Sequence, residues 1–267
     1  MHRTVAAHLE CDVAEPVRLV LSVAAAHGPH RVDESLTVML DGRTLAWDEI
    51  DDEHGTRLHL FCQVPAGSLV VDYAASLTAT PAATPDPAAV EQVRYLRPSR
   101  YCESDRLSPL ARAEFSGLTG TDLLAAVAGW VHANLGYVPG SSRPIDGAVA
   151  TLLARQGVCR DFAHLTIAFL RACDVPARLA SVYAPGLSPM DFHAVAEAFV
   201  DGRWHAVDAT RLAPRSSLVR IATGRDAADT AFITSTGGLL ELRGMEVVAY
   251  TDGDLPRDDH ESLVELH

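Results

Sequence analysis

The stretch His193-Ala194-Val195-Ala196-Glu197-Ala198-Phe199-Val200-Asp201-Gly202-Arg203-Trp204-His205-Ala206-Val207-Asp208 decides the fold. Asp-Gly between two apolar runs signals a β-hairpin with a two-residue turn. Val200 then pairs with Arg203, which sets Ala198 opposite His205 and Val195 opposite Asp208. Because side chains alternate along a strand, His193, Val195, Glu197 and Phe199 share a face with Trp204, Ala206 and Asp208. His193 becomes a diagonal neighbour of Asp208, roughly 7–8 Å away between backbones and within side-chain reach. His205 falls on the opposite face. Spacing therefore selects His193, not His205, as the partner of Asp208.

Upstream, a helix is expected from about Cys159, carrying Phe162, Leu165, Ile167, Phe169 and Leu170 and ended by Pro176. It is apolar nearly all round, hence central and buried. Cys159 follows Gly157-Val158 and opens the first turn. A thiol there feels the positive end of the helix dipole, which favours thiolate, and helix-start N–H groups can hold an oxyanion. An isolated cysteine more often simply packs in a core, so position alone decides nothing. With His193 and Asp208 it forms the parts of a Cys-His-Asp site: thiolate as nucleophile, imidazole as base, carboxylate fixing the tautomer. A chain with 12 histidines offers many accidental pairs, so structural explanations stay open on spacing alone.

Around this centre, residues 4–80 read as short strands, including 5–11, 17–23, 57–62 and 68–73, with Asp41-Gly42 turning between 36–40 and 44–47. Such spacing suggests a β-sandwich. The Pro/Thr/Ala stretch 78–87 breaks both periods and marks a boundary. Helices follow: one bears Leu123, Leu124, Val127, Val131 and Leu135 on one face, and a shorter one runs from Asp146 towards Gly157. The expected class is α+β: an N-terminal sandwich domain over 1–80, a Pro-rich linker and junction over 81–110, and a core over 111–250 with helices on an antiparallel sheet. An acidic tail, 251–267, lacks periodicity and is expected to be mobile or loosely packed.

Composition narrows the function. A net charge of −13 repels phosphate backbones, which argues against nucleic acid as a partner. No apolar run approaches the roughly 20 residues of a membrane span, and the N-terminus lacks a secretory pattern, so a cytoplasmic protein is expected. The five cysteines, Cys11, Cys62, Cys102, Cys159 and Cys173, show no CxxC pair. Every basic residue among the 22 is Arg, so the chain cannot crosslink itself through Lys.

Four ordered blocks together resemble the core of the transglutaminase-like superfamily: Gly157-Val158-Cys159-Arg160-Asp161-Phe162-Ala163-His164, Val175-Pro176-Ala177-Arg178, His193-Ala194-Val195-Ala196-Glu197, and Trp204-His205-Ala206-Val207-Asp208-Ala209-Thr210. The stretch 95–101 resembles the junction after the N-terminal β domain of bacterial members. The resemblance spans roughly 4–250 and implies a papain-like core, with Cys159 as nucleophile, His193 as base and Asp208 as orienting acid. It implies a thioester-forming enzyme acting on a peptide or protein. A cysteine peptidase or amidase is the favoured reading, since water competes for any exposed thioester. A protein-glutamine transamidase and a non-catalytic binding module are the alternatives. Many relatives carry Trp where Val195 stands, so pocket details do not transfer. No cofactor or metal is implied: residues 252–258 lack the sharp-turn Gly of a calcium loop, and His27-Gly28-Pro29-His30 shows no third ligand.

Secondary candidates divide between structure and chemistry. Gln156 is an oxyanion donor or an exposed helix-end residue. His164 is a hydrogen-bonded core histidine, and Asp161 a first-turn carboxylate favoured by the dipole. Arg211, Arg215, Arg220 and Arg225 form solvated ion pairs with neighbouring acids or bind a substrate carboxylate.

Overall fold

Burial alternates along β1 (His2–Val13), with Val5, Ala7, Leu9, Cys11 and Val13 turned inward, as a strand with one wet face requires. The same logic builds β2 (Val17–Leu21), β3 (His30–Leu40), β4 (Arg43–Thr44), β5 (Asp48–Asp51), β6 (Arg57–Val64) and β7 (Gly67–Ala79). This computed structural model describes residues 1–80 and 88–266. Helices α1 (Ala89–Arg94), α2 (Ser104–Glu114) and α3 (Gly120–Asn134) follow, then β8 (Gly136–Tyr137), α4 (Ala148–Ala154), β9 (Gln156–Gly157) and α5 (Cys159–Ala172). The chain closes with β10 (Ala177–Tyr183), β11 (Phe192–Val200), β12 (Arg203–Val207), β13 (Val219–Gly224), β14 (Ile233–Thr236) and β15 (Leu240–Thr251).

The strands form an antiparallel sandwich of two sheets, β15-β1-β7-β3-β4 and β14-β2-β6-β5, and a separate core sheet, β12-β11-β10-β13. Helix α5 packs on the core sheet with α2, α3 and α4 around it. Leu165, Ile167, Phe169 and Leu170 are wholly buried, as the all-round apolar pattern requires. The α+β class with an N-terminal sandwich is thus observed.

The expected segmentation needs three corrections. A core running from 111 to 250 fits the chain order but not the sheets. Strand β15 pairs with β1 from Arg3↔Thr251 to Val13↔Leu240, and β14 pairs with β2. The returning strands cover sandwich edges that would otherwise present unpaired backbone. The expected linker, 81–110, holds α1 and the start of α2, while most of the proline-rich stretch, 81–87, lies outside the described residues. The tail is docked rather than loose: Leu266 is buried and the Ala206 N–H donates to the Val264 carbonyl at 2.7 Å.

The sandwich meets the core through Tyr183, whose hydroxyl donates to the Val23 carbonyl (2.7 Å) beside the Tyr73 ring. Below it lies a buried charge cluster. Glu197 accepts from Arg178 Nε (2.8 Å) and from Arg220 at 2.6 and 2.7 Å. Arg178 also donates to Glu91 of α1 (3.1 Å) and lies 4.0 Å from the Trp204 ring centroid. Burial opposes a charge on Glu197, yet the two guanidiniums hold its carboxyl well below the usual range.

Histidine burial makes the fold acid-sensitive. Burial, helped by Arg178, lowers the His54 pKa to about 3, and burial lowers that of His164 to about 3. The unfolded chain binds these protons near pH 6.5, so the contribution of these two histidines to stability is full above that pH and falls on acidification. Each group contributes a slope of about 1.4 kcal/mol per pH unit below pH 6.5. His193, protonated in both states over that window, adds no slope. Denaturant titrations at about pH 6.5 and about pH 5 should show a loss of a few kcal/mol; equal stability would contradict these buried neutral histidines.

Candidate active site

The hairpin register is as expected: Ala196↔Val207, Ala198↔His205 and Val200↔Arg203. Asp201 and Gly202 both take positive φ, 51° and 80°, the geometry of a primed turn. His193 Nε2 lies 2.9 Å from Asp208 Oδ2, and both side chains are shut off from solvent. Thr210 fixes the other carboxylate oxygen through its N–H (2.9 Å) and hydroxyl (2.7 Å). Since Asp208 accepts, the imidazole proton sits on Nε2. Nδ1 has no nitrogen or oxygen partner among the described residues and is left as the basic atom. His205 bonds the Val200 carbonyl on the other face at 3.2 Å.

Cys159 is half-buried at the first residue of α5. Asp161 caps the helix, accepting from the Val158 N–H (2.8 Å) and the Ser142 hydroxyl (2.9 Å). That carboxylate folds back so closely that a Cβ on Gly157 would lie 2.5 Å from Asp161 Cβ, so only Gly fits two residues before Cys159. Arg160 anchors the same loop, donating to Ser142 (2.7 Å) and the Arg143 carbonyl (3.0 Å).

Electrostatics link the three side chains. Burial disfavours a charged His193, but Asp208 and then Cys159 outweigh it and push the imidazole up to about 10. Burial likewise opposes ionisation of Asp208, yet His193 and Thr210 hold it below the usual carboxylate range. The structure therefore sets His193 against Asp208, as the hairpin spacing expects, with Cys159 among the groups that raise the imidazole.

Sequence reasoning missed Tyr137. The parallel pairing of β8 and β9 sets it opposite Gly157, with its ring 5.9 Å from Phe162 and two-fifths exposed. Burial, then Cys159, raises its phenol to about 12. Gln156 is exposed on β9. His164 is a core residue, as expected, accepting from the Ala227 N–H (3.1 Å) and stacking on Tyr101. Two of the downstream arginines overturn the expectation of solvated pairs: Arg215 is buried against Asp258 and Arg220 against Glu197. Burial of both partners is what spacing along the chain could not show.

For metals, His27, Glu49 and Asp51 bring ligand atoms within 4.8 Å of one another. Glu49 is already held by Arg57 at 2.9 and 3.1 Å and by His59 at 3.0 Å, so its charge is spent. His30 is not in that group.

A helix-borne cysteine facing an antiparallel sheet that carries a His–Asp pair defines a papain-like thiol-enzyme fold. The family model described as transglutaminase-like superfamily matches residues 113–209. A solved structure of a protein from Cytophaga hutchinsonii, proposed to be a cysteine protease, is 33% identical with a TM-score of 0.87. That match covers 98% of this chain and 96% of the other. The chain belongs to the transglutaminase-like superfamily. Among curated relatives, an uncharacterized protein of Mycobacterium leprae is 29% identical over 120 residues, covering 40% of this chain and 42% of that protein. One of Mycobacterium tuberculosis is 36% identical over 124 residues, 40% of this chain and 39% of its own length. The chain thus spans about two fifths of these curated relatives.

Proposed function

We propose that the protein is a thiol acyl-transfer enzyme with Cys159 as nucleophile, His193 as base and Asp208 as orienting acid, hydrolysing a peptide or amide bond through a thioester. The observation that carries this is the buried His193–Asp208 pair, which leaves Nδ1 without a polar partner and the imidazole unusually basic. An imidazole of that basicity outcompetes an ordinary thiol, whose pKa is about 8.5, for a shared proton. The resulting thiolate attacks the substrate carbonyl carbon. Helix-start N–H groups of α5, which have no carbonyl one turn back, stabilise the oxyanion. His193 then protonates the leaving amine, and water, deprotonated by His193, releases the acyl group and restores the thiol. Tyr137 borders this reaction volume. Five unpaired thiols fit a reducing compartment, which supports a cytoplasmic setting.

The test is acid-quench mass spectrometry with a panel of peptide substrates, in water and with excess primary amine. An acyl adduct on Cys159, followed by free acid as the main product, is expected. Amide product at modest amine concentration would make the enzyme a transamidase, and no adduct with any donor would reject acyl transfer.

A further inference from the structure

Residues 252–266 pass over both loops that flank the His–Asp pair. Leu255 lies against the loop before β11: a Cβ on Gly186 would come within 3.0 Å of both Leu255 and Pro214. Next, Asp258 is clasped by Arg215, accepting from its N–H (2.8 Å), Nε (2.9 Å) and Nη2 (2.7 Å). Both partners are almost fully buried. Arg215 Nη1 also donates to the Ala206 carbonyl (3.1 Å), two residues before Asp208. The Ala206 N–H, on the edge strand β12, donates to the Val264 carbonyl. Leu266 ends the run in an apolar cluster with Val182 and Val195, and Val182 is the cross-strand partner of His193. The crevice beside Asp208 is walled by α3 on one side and by Leu263 and Arg215 on the other.

We propose that residues 252–266 are a positioning strap for the Asp208 arm of the site, with Asp258 and Arg215 as its clasp. The strap pins β12 and the loop after Asp208, and excludes water from that crevice, so that the carboxylate stays hydrogen-bonded to His193. Asp258 and Arg215 are positioning residues: they touch neither the thiol nor a reacting atom. The role rests on the acyl-transfer reading above. In low dielectric the Asp208–His193 attraction is several-fold stronger than in water, and hydrating the carboxylate weakens its hold on the imidazolium. The other charged groups near the pair are Cys159, Asp191, His260 and Glu261; Asp258→Asn leaves all four in place, whereas a chain ending at Thr251 lacks His260 and Glu261 until the peptide is added.

The experiment compares the full chain, Asp258→Asn, and a chain ending at Thr251 with and without a synthetic peptide of residues 252–267. Iodoacetamide labelling of Cys159 should slow about tenfold at about pH 6.5 in both variants. The rates should converge by about pH 10, where a thiol ionises unaided. Added peptide should restore the truncated chain. Where wild-type Cys159 labels as an activated thiol, slowing that is equal at both pH values, as a merely structural defect gives, or unchanged rates, overturns the proposal. The low-field proton resonance of the His193–Asp208 bond gives a readout independent of thiol reactivity. Its loss in Asp258→Asn and return with peptide in the truncated chain support the strap, even if Cys159 proves inert and acyl transfer fails. Its persistence in the truncated chain overturns the strap.

Discussion

Asp208→Asn should lower acyl-transfer turnover by a factor on the order of 10³–10⁴ while leaving the fold intact. The expectation follows from hydrogen-bond directions at one carboxylate. Its Oδ1 accepts from the Thr210 N–H, a fixed backbone donor, and from the Thr210 hydroxyl. An asparagine must turn its carbonyl oxygen to that N–H, because two donors cannot face each other. Its NH2 group then points at His193 Nε2 and demands a lone pair there, which moves the imidazole proton to Nδ1. That nitrogen can no longer take a proton from Cys159. The charge that raises the basicity of His193 disappears as well. Steady-state kinetics on any turned-over peptide, with circular dichroism to verify the fold, measures the effect. A loss below about tenfold would mean that Asp208 is not the orienting acid.

Glu197→Gln should destabilise the protein by about 3–5 kcal/mol, because it strands buried guanidiniums without their counter-charge. Glu197 is wholly buried and receives three bonds from Arg178 and Arg220. A glutamine offers one acceptor oxygen and turns an NH2 donor towards groups that are themselves donors. For a domain of this size the melting temperature should drop by roughly 10 °C, since each kcal/mol is worth about 2–4 °C. Desolvation makes such a pair a weak net stabiliser against an apolar replacement, but breaking one side of it is costly. A change below about 1 kcal/mol would show that water reaches the cluster.

The Asp208 arm of the site was legible because it depends on local rules. Asp201-Gly202 dictates the turn, the turn dictates the register, and period two puts His193 rather than His205 beside Asp208. The helix that opens with Cys159 was legible from its unbroken apolar character. Other features depend on tertiary choices with no local signature. Residues 240–251 read as β structure, but propensity does not say which sheet a strand will join, and β15 returns to β1. The tail docks through irregularly spaced contacts, Leu255, Asp258, Val264 and Leu266, which make no periodic pattern. Tyr137 comes opposite Gly157, two residues before Cys159, through a two-residue parallel ladder, too short to read from composition. The acids along 251–267 suggested solvation because charge is usually solvated, and only the buried partner Arg215 reverses that for Asp258.

The most direct measurement is brief iodoacetamide treatment at about pH 7, read by intact mass and peptide mapping, on the wild type beside His193→Ala. Cys62, the exposed thiol, serves as internal reference, while Cys11 and Cys102 are buried and raised by burial to about 11 and 12. An activated Cys159 should label first and alone, and lose at least about tenfold in rate in His193→Ala while Cys62 keeps its pace. Cys159 labelling no faster than Cys62, or equally fast without His193, would contradict a catalytic role for this site.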